Sequence, residues 1–159
     1  MISDDQNPFY LTQPARRSGS GALFLNAAMH VLLVEPNYKP NWDIPGGIVE
    51  QGEDPRTCCQ RECLEEVGFE NPIGRLLVLA HQTDPAPRGD SIMFVYDGGV
   101  VTDTTAIRLQ TSELVSFRFV PAEDLEQVAT ERLAKRIRAA IIARETGRTI
   151  EMVNGKVIE

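Results

Sequence analysis

Between Glu53 and Phe69 the chain carries a full set of helix boundary signals around an acidic segment, and no other stretch restricts the fold as much. Asp54 has the side chain of an N-cap, Pro55 suits the first helical position, and Gly68 suits the left-handed residue that ends a helix. At roughly 100° per residue, Glu62, Glu65 and Glu66 fall within one arc of about 100°, while Cys63, Leu64 and Val67 lie on a separate apolar arc. Such a helix must bury one side and leave the other open. Like charges at i, i+3 and i+4 repel by roughly a few tenths of a kcal/mol per pair. The acidic arc is therefore either a solvated face or the seat of a divalent cation, which would turn the repulsion into attraction. Carboxylate oxygens without His or Cys suit Mg²⁺ or Mn²⁺ rather than zinc. Arg61 can grip a neighbouring carboxylate by both oxygens or serve as a surface ion pair. Pro45-Gly46-Gly47 upstream can let backbone approach a ligand or form an ordinary tight turn.

Charge reinforces this focus. The 159 residues carry 16 Lys plus Arg against 23 Asp plus Glu, a net of −7. Six acids and two bases between Gly47 and Phe69 place −4 of that −7 in one element. An acidic chain disfavours nucleic-acid and anionic-membrane partners, which need clustered bases. The apolar fraction of 42% is that of a single globular domain with a sizeable core. Met1 to Gln13 lacks an apolar run of signal-peptide length, and no segment approaches the roughly 18 apolar residues of a membrane span, so a cytoplasmic protein is expected. The three cysteines, Cys58, Cys59 and Cys63, lack CxxC spacing and are read as reduced, packed helix residues.

Ser18-Gly-Ser-Gly21 reads as a separator between an N-terminal arm, residues 1–20, and a main domain, residues 21–147. Phe9, Tyr10 and Leu11 in the arm are read as packing on the domain, with a second subunit or a substrate base as alternatives. Strands are expected within Ala22 to Glu35 and at Leu76 to Gln82, Ile92 to Asp97 and Leu114 to Val120, with a second helix from Thr130 to about Glu145 stopped by Gly147. Asn154-Gly155 between β-rich flanks predicts a hairpin in a C-terminal extension, residues 148–159, whose Ile150, Met152 and Val157 offer a homodimer contact. Strands and helices mix without regular βαβ alternation, which gives an α+β class, or a mixed sheet covered by helices.

The segment from Gly47 through Glu53, Arg61, Glu62, Glu65, Glu66 and Gly68 to Phe69 resembles the Nudix box: Gly, five residues, Glu, seven residues, then Arg-Glu-apolar-x-Glu-Glu-x-Gly-apolar. A chance match of all seven fixed identities is on the order of one in a million. Trp42-Asp43-Ile44-Pro45-Gly46 is similar to the family's lead-in, and Cys63 stands where the family generally has an aliphatic residue. The resemblance implies an α/β/α sandwich with a mixed sheet between helices, and Mg²⁺-dependent, or Mn²⁺-dependent, hydrolysis of a pyrophosphate bond in a nucleoside diphosphate derivative. It implies Glu62 and Glu66 as metal ligands, with Glu65 beside them and the Gly47 carbonyl as a further donor. Glu53 would orient or add a ligand, and Arg61 would steer the carboxylates. The general base would be a box glutamate such as Glu65, or Glu113 from a later loop; Glu113 reads equally as a solvated acid at a strand start.

Substrate signals are thinner. Pro85, with 15 residues between it and the box end, resembles a marker of ADP-ribose pyrophosphatases, but proline is also a normal loop residue. Arg75, Arg88, Arg108 and Arg118 can pair with phosphates, and Trp42, Tyr38 or Phe9 can stack on a base. Surface charge and packing are the competing roles for each. A nucleotide-sugar, ADP-ribose or a nucleoside triphosphate would fit the implied activity. The alternative is a non-catalytic Nudix-fold domain that senses a nucleotide.

Overall fold

A computed structural model describes residues 7–158. It has one mixed sheet of eight strands: β1 (Arg17–Leu25), β2 (Val31–Pro36), β3 (Gly46–Ile48), β4 (Leu76–Gln82), β5 (Ser91–Val100), β6 (Leu114–Val120), β7 (Ile150–Val153) and β8 (Lys156–Val157). The helices are α1 (Pro8–Leu11), α2 (Pro55–Val67) and α3 (Glu131–Thr146). The strand order is β6-β2-β1-β5-β4-β7-β8, with β3 paired to β1 off this path. The pairs β1–β5 and β4–β7 are parallel; the others are antiparallel.

Alternation along β1 builds the two sides of the sheet. Ala22 and Phe24 pack with Cys59, Cys63 and Val67 of α2, while Leu23 and Leu25 pack with Leu133, Ile137 and Ala140 of α3. The sheet thus lies between two helices, the expected sandwich. Asp54 caps α2 by accepting from Arg56 N at 2.9 Å and Thr57 N at 3.0 Å, and Gly68 ends it at φ 76°. All three cysteines are buried and free, which matches their reading as packed residues. α3 ends at Gly147 as the sequence predicts and starts one residue after Thr130, which is its N-cap, and Asn154 and Gly155 turn the C-terminal hairpin with φ values of 51° and 78°. Among the described residues no helix is long and apolar enough to cross a membrane.

Four local expectations change. Ser18 to Gly21 is not a separator but part of β1, because its backbone pairs on both edges, with β3 at Gly19–Gly21 and with β5 along the whole strand. The expected boundary at residue 21 therefore falls inside a central strand. Gly21 is needed there: a Cβ would lie 2.8 Å from the Pro45 carbonyl oxygen. The hairpin at residues 148–159 is no appendage either, since β7 extends the main sheet alongside β4 and buries Met152 in the core. Leu64 is 48% exposed and Glu66 only 6% exposed. The buried arc of α2 is centred on Cys59, Cys63 and Val67, which leaves Leu64 beyond one rim and draws Glu66 inside the other. Phe9, Tyr10 and Leu11 are exposed rather than packed on the domain.

Candidate active site

One arginine organises the acidic face of α2. Arg61 Nε and Nη2 donate to the two oxygens of Glu53 at 2.9 and 3.0 Å. Its Nη1 donates to Glu62 Oε1 at 2.8 Å and to Glu65 Oε2 at 3.3 Å. Glu53 also accepts the Glu50 N–H at 3.1 Å. The guanidinium beside it, aided by that backbone bond, holds the Glu53 carboxyl down at about 2. Glu53 is thus a fixed anion that anchors Arg61, and Arg61 in turn orients Glu62 and Glu65.

Glu62 and Glu66 lie in the opposite electrostatic situation. Burial pushes the Glu66 carboxyl up to about 8; the Gly46 N–H, donating at 2.8 Å, works against this, and the charges of Glu62, Asp43 and Glu113 add to it. Burial also raises Glu62, opposed by Arg61 and reinforced by Glu65 and Glu113. Glu113, in the turn before β6, therefore stands within electrostatic reach of both glutamates although it lies 47 positions beyond Glu66 in the chain. Glu65 occupies the outer edge, its side chain 47% exposed.

Strand β3 supplies the facing wall. A Cβ on Gly47 would lie 2.3 Å from Glu62 Oε1, so the glycine makes room for that carboxylate. Gly47→Ala is expected to displace Glu62 and cost at least about tenfold in any turnover this site supports, by steady-state kinetics, while the fold survives with about 1–3 kcal/mol less stability. Unchanged turnover would show that the position of Glu62 does not matter.

The donor set fits a hard divalent cation. Burial raises both the buried Glu66 and the partly buried Glu62; Arg61 lies against Glu62, and among the described residues Glu66 has only the Gly46 N–H beside it. Among the described residues no three acidic, His or Cys side chains gather closely enough to hold a metal unaided. Mg²⁺ is commonly held by one or two carboxylates plus waters and substrate phosphates, which this arrangement allows and which a dedicated zinc cage would not resemble.

A cleft of about 170 Å³ leads away from Gly46 and Gly47, with β1 and β5 contributing its floor and Tyr38, Lys39, Asp43 and Arg136 its sides. Lys39, Asp43, Met93 and Arg136 also line a second cavity of about 320 Å³, which Trp42, Arg88 and Arg132 border. Of the sequence-named candidates, Tyr38, Trp42 and Arg88 reach these spaces. Arg75 instead donates to backbone carbonyls of Leu76 and Ala143, Arg108 to those of Thr105 and Ile107, and Arg118 stacks over Trp42 at 4.9 Å. Sequence reading passed over Lys39, Asp43, Arg132 and Arg136. A signal was present for the last: Arg136 shares the helix face of Leu133, Ile137 and Ala140, where a charge is out of place.

A family model of the NUDIX domain matches residues 15–143. The chain belongs to the Nudix family. Among Nudix relatives, it is 36% identical over 58 residues to the RNA pyrophosphohydrolase of Rhodospirillum rubrum, an alignment covering 36% of this chain and 35% of that one. The chain spans about a third of the length of the curated relatives it matches. A UDP-X diphosphatase structure is alike with a TM-score of 0.71 at 18% identity, covering 96% of this chain and 76% of that one. The NUDIX domain of Shewanella oneidensis NrtR, complexed with ADP ribose, is alike with a TM-score of 0.68 at 19% identity, covering 92% and 99%. At these identities the two structures speak for the Nudix fold. The matched span begins within two residues of β1 and ends in α3, so β7 and β8 lie beyond it.

Proposed function

We propose that the chain hydrolyses the pyrophosphate bond of a nucleoside diphosphate derivative, such as a nucleotide-sugar, ADP-ribose or a nucleoside triphosphate, with Mg²⁺, or Mn²⁺ in its place. The observation that carries this reading is the acidic cluster of Glu62, Glu65 and Glu66, with Glu66 buried against Gly46 N and Glu62 against Gly47, beside a cleft that Gly46 and Gly47 line. Glu62, Glu66 and the Gly47 carbonyl would hold the metal, with Glu65 at the rim. Bound there, the cation would neutralise the diphosphate and lower the barrier to attack by water.

The chain's own groups divide the remaining work. Arg61, braced by Glu53, keeps Glu62 and Glu65 in place, so no reorganisation is needed when the substrate arrives. Glu113 takes a proton from the attacking water as the new oxygen–phosphorus bond forms and the bridging oxygen leaves with the other phosphate. A box glutamate, Glu65 above all, is the alternative base. Glu113→Gln is expected to lower turnover by roughly 10² while leaving Mn²⁺ binding nearly intact by calorimetry; near wild-type turnover would assign the proton to a box glutamate.

Similar proteins support the substrate class: an RNA pyrophosphohydrolase, a UDP-X diphosphatase and a NUDIX domain with ADP ribose. A non-catalytic nucleotide-sensing domain would have no use for glutamates whose mutual repulsion costs stability, and all of them are present. Three buried, free cysteines suit a reducing compartment and hence a cytoplasmic enzyme. The deciding experiment is a panel of UDP-sugars, ADP-ribose and nucleoside triphosphates with Mg²⁺ and Mn²⁺, products identified by mass. Hydrolysis that persists in chelator would refute the metal assignment.

A further inference from the structure

Arg136 is the least satisfied charge in the molecule among the described residues. It is 9% exposed on α3, and its Nε is buried without a hydrogen-bond partner. Asp43 is the one acid among the charges that act on it, and Asp43 is already engaged by Lys39 at 2.6 Å, while Arg132 and Arg88 add repulsion. Arg132, one turn earlier on α3, spends its guanidinium on Asp84 at 2.9 and 3.1 Å, and Arg88 shares the same Asp84 at 3.6 Å. Four bases around the 320 Å³ cavity thus meet two acids, a local excess of +2 in a chain whose net charge is −7. A buried guanidinium with an unpaired Nε and no carboxylate in contact is destabilising, and its five donors in a planar fork match an oxyanion better than any neutral acceptor. A neutral base edge would satisfy hydrogen bonds but leave the excess charge in place.

We propose that this cavity is an oxyanion subsite in which Arg136, in the field of Lys39, Arg88 and Arg132, holds a second anionic group of the substrate, a phosphate or a carboxylate set apart from the scissile pyrophosphate. The inference rests on the hydrolase reading above and narrows it. The cleft that begins at Gly46 and Gly47 also reaches Arg136, so one extended molecule can span both ends. Preferred substrates then carry charge at two places: a pyrophosphate at the glutamates and a compact anion at Arg136. A plain nucleoside triphosphate, charged only along its phosphate chain, leaves the subsite unpaired.

Matched substrate pairs differing by one anion test this. NADPH against NADH adds a phosphate, and UDP-glucuronate against UDP-glucose adds a carboxylate. At least one pair is expected to show kcat/KM about tenfold or more higher for the more anionic member, carried by KM, and Arg136→Met is expected to bring that ratio close to one. Isothermal titration with inorganic phosphate, in chelator so that no metal takes part, is expected to show binding to the wild type and none to the variant. Unliganded Arg136→Met should melt above the wild type, because a buried unpaired charge has gone; a purely structural arginine would give a lower melting temperature. Absence of preference in both pairs, or phosphate binding retained by Arg136→Met, would overturn the proposal. If no compound is hydrolysed, the hydrolase reading fails, and the phosphate titration still decides the fate of the subsite.

Discussion

Glu66→Gln is expected to lower hydrolysis by about 10³-fold and, in chelator at pH 8, to leave the protein more stable than the wild type. The loss of turnover follows from removing a buried carboxylate that would hold the metal. The stability gain follows from its proton. The folded protein holds the Glu66 carboxyl at about 8 against an ordinary 4.5, so the folded state binds the proton more tightly than the unfolded chain. Metal-free wild type should therefore lose stability as pH rises from about 4.5 toward about 8, by a few kcal/mol in order of magnitude. Glutamine does not titrate, and the variant escapes that loss. Added Mg²⁺ or Mn²⁺ reverses the order, stabilising the wild type by mass action and the variant little. Thermal melting of both proteins from pH 5 to pH 8.5, with and without metal, measures all of this. A difference that stays flat across the range would mean that Glu66 is not held as described.

Arg61→Lys should cost roughly 10² in kcat with little change in melting temperature. The guanidinium grips both oxygens of Glu53 and reaches Glu62 and Glu65 at once. An ammonium is a single point charge and cannot keep that geometry. The cluster is partly exposed, so its ion pairs add little to stability. Without the guanidinium, Glu53 should drift up from about 2 toward the usual carboxylate range, and the acid limb of the pH–rate profile should move up with it. A profile that coincides with the wild type would show that Glu53 and Arg61 do not organise the site.

Local signals served well wherever the cause was local. Asp54, Pro55 and Gly68 bound α2, Thr130 and Gly147 bound α3, and Asn154-Gly155 turn the hairpin, because caps and turns are settled by side chains within a few residues of the backbone they satisfy. Four of the seven box residues could be read for the same reason: spacing along one helix brings Arg61, Glu62, Glu65 and Glu66 together before any tertiary contact is made. Ser18 to Gly21 was misread because small polar residues favour turns locally, whereas here both sheet edges claim their backbone. Leu64 and Glu66 exchanged expected places because the arc a helix buries is chosen by what packs against it, and hydrophobicity alone put its centre one residue off.

The sequence by itself determined that one helix would carry a fixed acidic constellation with Arg61 in its midst, since helical geometry is short-range and the residues lie within four turns. Tertiary structure alone decided how those acids would behave. Packing sinks Glu66 against Gly46 and raises its proton affinity, and it brings the charge of Glu113, 47 positions further on, to bear on it. It also buries Arg136, with its Nε unpaired, in the wall of the cleft. Desolvation and long-range charge depend on which surfaces meet, and no spacing along the chain encodes that.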